Sequence, residues 1–211
     1  MAIIRTKFNI SVLGEGDVGK TTLISVFSGK DFDFNTLKTV GIDNYFFNEK
    51  FDGQEYKFKV FDTAGQERYK SISNSTIRLA DGFLLVFSVD NKKSFNLINE
   101  WLNTISSSCD ISRKVIFLVG NKIDIKEREV SNEEAVTYAK TKNLSYHETS
   151  AKTGFGVKDT FKKLFHTLYQ KCKEIDNDNE TNDNNDENKQ TAPIQLDKKH
   201  FEKKEHRKCH C

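Results

Sequence analysis

Residues 14–21 of the chain read GEGDVGKT, which follows the pattern G-x-x-x-x-G-K-[ST]. Glycines in this pattern let the backbone wrap closely around phosphate oxygens, and successive N–H groups point at the anion. The preceding stretch, KFNISVL (7–13), alternates apolar and polar residues as a half-buried strand does. The following stretch, KTTLISVF (20–27), has helical spacing. A strand, a glycine-rich loop and a helix in this order predict a phosphate-binding loop.

Two side chains of this loop have expected roles in nucleotide chemistry. Lys20 can reach the outer phosphates, and the Thr21 hydroxyl can ligate Mg²⁺. Glu15 and Asp17 carry carboxylates that would repel a triphosphate, so we expect their side chains to point outward while their amides face the phosphate. The residues of the loop predicted to bind nucleotide are Gly14, Glu15, Gly16, Asp17, Val18, Gly19, Lys20, Thr21 and Thr22.

Strand and helix signals alternate along the rest of the first 173 residues. The stretches FNEKF and EYKFKVF flank Asp52-Gly53, a pair that predicts a two-residue hairpin turn. The runs GFLLVFSV (82–89) and KVIFLVG (114–120) are continuously apolar, which is typical of parallel strands covered on both faces. These patterns predict an open α/β fold: a mostly parallel sheet with one antiparallel hairpin strand and helices on both faces.

Three helices are predicted with particular clarity. Ser131 and Glu134 form an S-x-x-E capping box that begins one of them. The other two each gather large apolar residues on one face. These residues are Phe95, Ile98, Trp101, Leu102 and Ile105 in the first helix, and Val157, Phe161, Leu164, Phe165 and Leu168 in the second.

The loop DTAGQE, residues 62–67, follows the second hairpin strand. Ligands of such sheets bind beyond the carboxyl ends of the strands, so this loop is expected to face the phosphate loop. Asp62 can then hold Mg²⁺, directly or through water. Gly65 can bring its N–H to the terminal phosphate, and Gln66 can orient a water for in-line attack.

The loop NKID, residues 121–124, predicts which nucleotide binds. Guanine presents N1–H and N2–H₂ along one edge, and the Asp124 carboxylate matches that pair of donors, whereas adenine offers no such pair. Asn121 is expected to tie the loops together, and the Lys122 stem to cover the base plane. In TSAK (149–152), the Ala151 amide is in the right position for the guanine carbonyl oxygen.

The composition favours a cytosolic, reduced and soluble protein. The formal net charge is +2, which argues against a general nucleic-acid binder. The 4 cysteines are too few and too scattered for a secreted disulfide framework. The first residues, MAIIRTKFNI, have no apolar stretch long enough for a signal peptide, and no apolar run approaches the roughly 20 residues that cross a bilayer.

Composition changes after Lys173. Residues 174–192 are rich in acids and amides, and residues 198–208 are basic. We therefore expect a domain over 1–173 and a disordered tail over 174–211. The tail ends in EHRKCHC, with Cys209 and Cys211 one residue apart. A disulfide, a metal clip or a lipid anchor could each explain these thiols.

The four loops together, in this order, resemble the Ras superfamily of small GTPases over residues 7–173. The resemblance implies the six-stranded small-GTPase fold and a switch that binds GTP and GDP with Mg²⁺ and hydrolyses GTP slowly, stimulated by an activating protein. Thr39 would bind Mg²⁺ with Thr21 and Asp62, and it would sense the terminal phosphate. The resemblance further implies that Phe32, Thr39, Gly65, Asn121, Lys122, Asp124, Ser150, Ala151 and Lys152 contact the nucleotide. The residues implied to be catalytic are Gln66, Lys20 and Gly65, and Gly16 matches a phosphate-loop position where enlargement slows hydrolysis.

Within the superfamily the chain looks most like a divergent Rab. The terminal C-x-C resembles the Rab signal for double geranylgeranylation, which favours the lipid anchor at Cys209 and Cys211. VGID and KFKVFDTAGQERYKSIS resemble Rab switch segments. Three features depart from the usual Rab pattern. Asn44 stands where an aromatic residue usually follows the aspartate, Phe61 replaces the usual tryptophan before DTAG, and STIRLADG (75–82) replaces the usual YYRGA-like stretch. No subfamily is therefore assigned.

The resemblance also implies partners and a location. A Rab works with an exchange factor, an activating protein, effectors and a lipid-binding dissociation inhibitor. It acts in vesicle trafficking as a monomer on the cytoplasmic face of endomembranes and cycles with the cytosol. Nucleic acid is not an expected partner.

Other functions are compatible with parts of the pattern. A P-loop kinase or ATPase shares the phosphate loop, but NKID argues against it, as does the lack of an arginine-rich lid. A GTP-binding scaffold with little hydrolysis, or a Rho- or Ras-like signalling GTPase, would share all four loops.

Overall fold

The computed structural model describes residues 5–33, 39, 41–63 and 70–186, without the side chains of 70–74 and 175–186. Its strands are β1 (Lys7–Leu13), β2 (Ile42–Phe51), β3 (Gln54–Thr63), β4 (Gly82–Ser88), β5 (Val115–Asn121) and β6 (Ser145–Glu148). Its α-helices are α1 (Lys20–Phe27), α2 (Lys70–Leu79), α3 (Lys92–Asn96), α4 (Ile98–Ser108), α5 (Asn132–Thr141) and α6 (Val157–Asp186). A short 3₁₀ turn, Ile111–Arg113, precedes β5.

The strands form one six-stranded sheet in the order β2-β3-β1-β4-β5-β6. The pair β2–β3 is antiparallel, and the other four pairs are parallel. The hairpin joins β2 to β3 through Asp52 and Gly53, whose φ angles of 48° and 81° both lie in the left-handed region. Such a turn matches the natural twist of the two strands. The predicted sheet and its hairpin are confirmed.

Alternate side chains of the strands enter two separate cores. In β4, Leu84 and Val86 join a core that includes residues of α1 and α6. Phe83, Leu85 and Phe87 join a second core with residues of α2 to α5. Because neighbouring residues of a strand point to opposite faces, helices cover both sides of the sheet, as predicted.

Aromatic rings dominate the core beneath α6. All five residues of the predicted apolar face of this helix are buried. The Phe165 ring stacks on Phe58 of β3 with 4.0 Å between centroids, and Phe161 stacks on Phe27 of α1 at 4.3 Å. Stacked rings at these distances add to the free energy gained by burial. The helix is therefore fixed tightly to the sheet.

Contacts at the hairpin turn join it to the same helix. The Asp52 carboxylate accepts hydrogen bonds from the Tyr169 hydroxyl and, at 2.7 Å, from the Lys173 ammonium. The hydrogen bonds from Lys173 and Tyr169, and after them the charge of Lys173, lower the pKa of Asp52. The Phe51 ring stacks on Tyr169 at 4.7 Å. The turn of the hairpin is thus held to α6 by both polar and aromatic contacts.

Helix boundaries agree with the sequence signals in one case and differ in another. The Ser131 hydroxyl accepts the Glu134 N–H at 3.1 Å, so the predicted cap of α5 is confirmed. The apolar face predicted over 95–105 belongs to two helices, because α3 ends at Asn96 and α4 begins at Ile98. The face stays continuous across the break, since Phe95, Ile98 and Ile105 are all buried.

The last helix runs farther than the predicted domain boundary at residue 173. Backbone of α6 is helical to Asp186, so residues 174–186 differ from the predicted disordered tail. Extending a helix that is already packed costs far less than nucleating one, which accounts for helix in a segment of poor helix formers. The first compact unit ends at Asp176. Residues 187–211 lie outside the described part of the chain, and the division into domain and tail stays a prediction.

No helix in the described part of the chain is long and apolar enough to cross a membrane. The topology instead directs attention to one edge of the sheet. β1 lies between β3 on one side and β4 on the other. The loop after β1 therefore lies at the point where the strand order reverses, which is where ligands bind in open α/β sheets.

The stack of Phe165 on Phe58 gives a test of this core. We expect Phe165→Ala to lower the free energy of unfolding by about 3–5 kcal/mol, because it removes a fully buried ring and leaves a cavity. Urea unfolding at fixed GDP and Mg²⁺ concentrations measures the change. Phe46→Ala is the matched control, because that ring is 72% exposed and its removal should change stability by less than about 0.5 kcal/mol. Equal losses in the two variants would contradict the assignment of the core.

Candidate functional site

A cavity of about 690 Å³ opens at the carboxyl edge of the sheet. Its size falls within the range of small-molecule sites, about 300–1,000 Å³. It is lined by Glu15, Gly16, Asp17, Gly19, Lys20, Thr21, Thr22, Phe32, Asp33, Thr39, Thr63, Asn91, Lys93, Asn121, Lys122, Asp124, Ile125, Ala151 and Lys152. Most of the residues predicted to bind nucleotide thus surround one space.

The phosphate loop packs so closely against neighbouring atoms, backbone at Gly14 and a side chain at Gly19, that both glycines are required. A Cβ on Gly14 would lie 2.1 Å from the carbonyl oxygen of Val86 in β4. A Cβ on Gly19 would lie 2.5 Å from Nδ2 of Asn121, and the φ of Gly19 is 94°. Real Cβ atoms do not approach other atoms this closely, so only glycine fits at either position.

Lys20 lies inside the curve of the loop and is 5% exposed. Its ammonium donates to the carbonyl oxygens of Gly14 at 3.0 Å and Glu15 at 2.7 Å. Burial lowers the pKa of Lys20 to about 8, although the nearby charges of Asp62, Glu15 and Asp17 act in the opposite direction. A phosphate in the cavity would supply the negative charge that favours the ammonium form.

The two carboxylates of the loop do not both point outward. Oε1 of Glu15 accepts the N–H of Gly16 at 3.0 Å, so this side chain turns onto the loop's own backbone. Asp17 lines the cavity and adopts a φ of 61°, an uncommon conformation for a residue with a side chain. The expectation of outward-pointing carboxylates is therefore wrong for Glu15. A free backbone N–H is a strong donor, and the adjacent carboxylate satisfies it.

Three oxygen-bearing side chains from separate segments meet beside Lys20. The Oγ1 atoms of Thr21 and Thr39 are 2.5 Å apart, and Thr39 donates to Oδ2 of Asp62 at 3.4 Å. Asp62 is fully buried. Among the described residues, its Oδ1 has no hydrogen-bond partner.

This arrangement fits a small hard cation. Burial raises the pKa of Asp62, and hydrogen bonding from Thr21 and the charge of Lys20 act against that rise. A cation beside the unsatisfied Oδ1 would offset the cost of burying the carboxylate. Hydroxyl and carboxylate oxygens are ligands that Mg²⁺ takes, with waters and phosphate oxygens completing its shell. No group of three or more His, Cys, Asp and Glu side chains forms a metal cluster in the described ranges, so an ion held mainly by protein carboxylates does not fit there.

The Asn121 side chain joins three loops, as predicted. Its Nδ2 donates to the carbonyl oxygen of Val18 in the phosphate loop at 2.8 Å. Its Oδ1 accepts from the Thr149 hydroxyl and from the Ala151 N–H, each at 3.1 Å. The side chain is completely buried. The Ala151 amide, predicted to meet a guanine carbonyl, therefore has a partner within the protein in this structure.

Asp124 is held at the base end of the cavity. Its Oδ1 accepts from the Ser150 hydroxyl at 2.5 Å, and its Oδ2 lies 4.0 Å from the Lys152 ammonium. Neighbouring Lys122 has a φ of 66°, and its ammonium is 3.9 Å from Asp90. A carboxylate fixed by a hydroxyl in this way presents acceptors in a set direction, which suits a pair of N–H donors.

Several predicted residues support the cavity without lining it. Gly14, Val18, Asp62 and Ser150 lie behind its surface, where they hold Lys20, Asn121, Thr39 and Asp124 respectively. Gly65, Gln66, Cys209 and Cys211 lie outside the described residues. Their predicted roles remain predictions.

Sequence reasoning missed the part of the cavity formed by the loop after β4 and the first turn of α3. Asn91 and Lys93 line the cavity there, and the Asn91 side chain caps α3 by accepting the Ser94 N–H at 3.0 Å. The rule that ligand loops follow parallel strands could have found them, because β4 ends at Ser88. Asp33, Thr63 and Ile125 were also missed, and their sequence positions carry no recognisable motif.

Comparison with known proteins identifies the family to which the chain belongs. The model of the Ras family matches residues 9–170. Ras-related protein Rab-18 of Lymnaea stagnalis is 36% identical over 167 residues, which cover 79% of this chain and 83% of the relative. Rab-18-B of Danio rerio is 35% identical over 79% of this chain and 82% of the relative. Rab-18 of Caenorhabditis elegans is 35% identical over 82% of this chain and 85% of the relative.

The family match covers all the described loops that line the cavity, and Rab relatives align with most of the chain. The phosphate loop is therefore better interpreted as that of a Ras-family GTPase than as that of a P-loop kinase or ATPase. The chain belongs to the Ras family and is a Rab-like small GTPase, an enzyme that binds and hydrolyses GTP in the regulation of vesicle trafficking.

Proposed function

We propose that the chain is a Mg²⁺-dependent GTP switch that is anchored by prenyl groups to the cytoplasmic face of endomembranes. The observation that carries the nucleotide half of this proposal is the cavity itself. At one end of the cavity lie the buried Lys20 and the hydroxyl oxygens of Thr21 and Thr39, which suit a cation. At the other end lies the Asp124 carboxylate, held in place by Ser150. A guanine nucleotide needs these two chemistries at its two ends.

The base is recognised by Asp124, in our proposal. Its two oxygens can accept from the N1–H and N2–H₂ groups of guanine while the Ser150 hydroxyl continues to donate to Oδ1. Phe32 and the stems of Lys122 and Lys152 line the space around the ring. Adenine would leave the half-buried carboxylate without the two N–H donors of the base, and a site of this kind rejects such a ligand strongly.

The phosphates are held by the loop after β1. The Lys20 ammonium turns from the carbonyl oxygens of Gly14 and Glu15 toward the outer phosphates. The Gly16 N–H is released by the Glu15 carboxylate and donates to a phosphate oxygen. Thr21, Thr39 and Asp62 would hold Mg²⁺, directly or through water, and the ion would neutralise charge on the phosphates.

Hydrolysis is assigned to the loop after β3. Gln66 orients a water for in-line attack on the terminal phosphate, and the Gly65 N–H stabilises the charge that develops there. Lys20 contributes a second donor to the same oxygens. The phosphate loop supplies no arginine finger, so an activating protein would accelerate the reaction by roughly 10³–10⁵-fold.

The switch itself rests on Thr39. Its hydroxyl touches both Thr21 and Asp62, so it can report whether the terminal phosphate is present. Loss of that phosphate would release Thr39 and Gly65 together and change the surface that effectors read. Exchange factors and a lipid-binding dissociation inhibitor would complete the cycle. The monomer is the expected functional unit.

The membrane half of the proposal rests on the end of the sequence. Cys209 and Cys211 follow the basic residues of 198–208. Two prenyl chains hold a protein on a membrane firmly, whereas one does so marginally, and basic residues add attraction to anionic lipid.

Removal of the glutamine tests the catalytic assignment. We expect Gln66→Leu to bind GTP as the parent does and to lose most single-turnover hydrolysis, because the attacking water is no longer oriented. Release of phosphate from preloaded GTP measures the rate. Gln54→Leu at the start of β3 is the control and should hydrolyse at the parental rate. Hydrolysis by Gln66→Leu at the parental rate would show that another residue orients the water.

The left-handed backbone of Asp17 in the phosphate loop leads to a second expectation. Asp17→Gly should slow GDP dissociation about tenfold, because it removes both an unfavourable φ of 61° and a negative charge from the phosphate end of the cavity. Release of a fluorescent GDP analogue in excess GDP measures the rate.

Asn143→Gly is the matched control for this substitution. Asn143 has a similar φ of 54° but lies in the loop between α5 and β6, away from the cavity. Its replacement relieves backbone strain without changing charge near the nucleotide, so GDP release should stay at the parental rate. Faster release from Asp17→Gly than from the parent would contradict our account of the loop.

The intact mass of the protein isolated from its own cell membranes tests the anchor. We expect a mass raised by two geranylgeranyl groups, which is lost in the double variant Cys209→Ser, Cys211→Ser together with membrane association. Cys172→Ser is the control and should keep the added mass. An unmodified parental protein found free of membranes would refute the anchor and leave the GTPase assignment intact.

A further inference from the structure

A second cavity lies between β6 and α6. Its volume is about 420 Å³, and it is lined by Phe117, Ser145, His147, Lys162, Lys163, His166 and Thr167. None of these residues belongs to the nucleotide cavity. Two lysines and two histidines line it, and the lining contains no carboxylate.

The positive groups are brought together by the fold and are little neutralised. The Lys163 ammonium has no ion-pair or hydrogen-bond partner among the residues that the structure describes. Lys162 has one, Glu49 of β2, at 3.7 Å, and both of these side chains are substantially exposed. The His166 ring contacts the rings of Phe51 and Tyr169. Positive charge therefore remains in the cavity, most of it near Lys163.

His147 is held rigidly at the wall of this cavity. Its ring stacks on Phe117 with 4.5 Å between centroids, and its Nε2 is 3.0 Å from Oγ of Ser145. Burial, and then repulsion from Lys163, lower the pKa of His147. Both side chains line this cavity. An anion between them would turn the repulsion into two favourable contacts.

The hydroxyl groups complete a set of donors for an anion. When Nε2 of His147 is protonated, it donates to Oγ of Ser145 and leaves the Ser145 hydroxyl hydrogen for an outside acceptor. The lysine supplies further donors with full charge, and such charge-assisted hydrogen bonds are the strong ones. A metal does not suit this cavity, because the described residues contain no cluster of three or more His, Cys, Asp and Glu side chains.

We propose that the cavity between β6 and α6 binds a phosphate-bearing anion, with Lys163, His147 and Ser145 as its main contacts. The cavity is larger than a single phosphate needs and falls within the size range of small-molecule sites, so the ligand class is a multiply phosphorylated ring such as an inositol phosphate. That chemistry occurs both free in solution and on a lipid headgroup. The proposal does not depend on the assigned GTPase mechanism.

The test uses the full chain loaded with GDP and Mg²⁺, so that the nucleotide cavity is filled. Side-chain resonances of the histidines are followed by NMR during titration with inositol trisphosphate. They are followed again with phosphatidylcholine vesicles that contain or lack a phosphatidylinositol phosphate. We expect the His147 resonance to move toward the imidazolium position and to saturate. The histidines of the tail, His200, His206 and His210, serve as internal references for nonspecific attraction to basic residues.

Two lysine variants make the result specific. Lys163→Gln should weaken binding about tenfold or more, since it removes one charge-assisted contact. Lys140→Gln removes an equally exposed positive charge from α5 and should bind as the parent does. Both are surface changes, and equal unfolding midpoints would show that the fold is intact.

The outcomes separate the sources and decide the proposal. A response to soluble inositol trisphosphate alone identifies a free phosphate ligand, and a stronger response to phosphoinositide vesicles identifies a lipid headgroup. The proposal is overturned if His147 responds to no probe, if only the tail histidines respond, or if the two lysine variants bind equally.

Discussion

The hydrogen bonds of the Asn121 side chain hold the nucleotide site in one arrangement. One amide group joins the phosphate loop at Val18, the end of β5, and the loop after β6 at Thr149 and Ala151. All of these partners are buried or nearly so, and an unpaired polar group there would cost the full penalty of desolvation. The missing Cβ of Gly19 leaves the space that the amide occupies. One side chain therefore links the loop predicted to bind the phosphates to the loop predicted to meet the base.

Residues with unfavourable backbone angles or buried charges lie in the loops that Asn121 joins and beside them. Asp17 and Lys122 adopt left-handed φ angles, burial raises the pKa of Asp62, and burial lowers that of Lys20. Strain and displaced pKa values of this kind persist where the surrounding structure imposes them, and they cluster at functional sites. In our proposal, a triphosphate with its cation would offset the electrostatic cost at both Lys20 and Asp62. The free energy of unfolding is consequently linked to nucleotide concentration through the site itself.

The sequence predicted those parts of the protein whose structure depends on residues close together in the chain. The pair Asp52-Gly53 specifies its own turn, Ser131 and Glu134 specify their own cap, and the four loops were recognisable because each follows a strand. What could not be predicted depends on tertiary contacts. Asn91 and Lys93 reach the cavity only because β4 lies beside β1. The direction of the Glu15 carboxylate is decided by a nearby backbone N–H. The length of α6 reflects propagation from a packed segment, which composition does not report.

The attachment of the hairpin to α6 limits how the site can change shape. Asp52 and Phe51 are fastened at one end of the β2–β3 pair, while Ile42 and Thr63 end the pair at the edge where nucleotide binds. A shift of the β2–β3 register by one residue would move the side chains of ten paired positions to the opposite face of the sheet. It would also break the contacts of Phe51 and Asp52 with α6. β3 also pairs with β1 as far as Asp62, so the β2–β3 pair is held at the nucleotide edge as well as at its turn. The strands therefore form a fixed frame, and any change of shape at that edge falls to the loops that leave them.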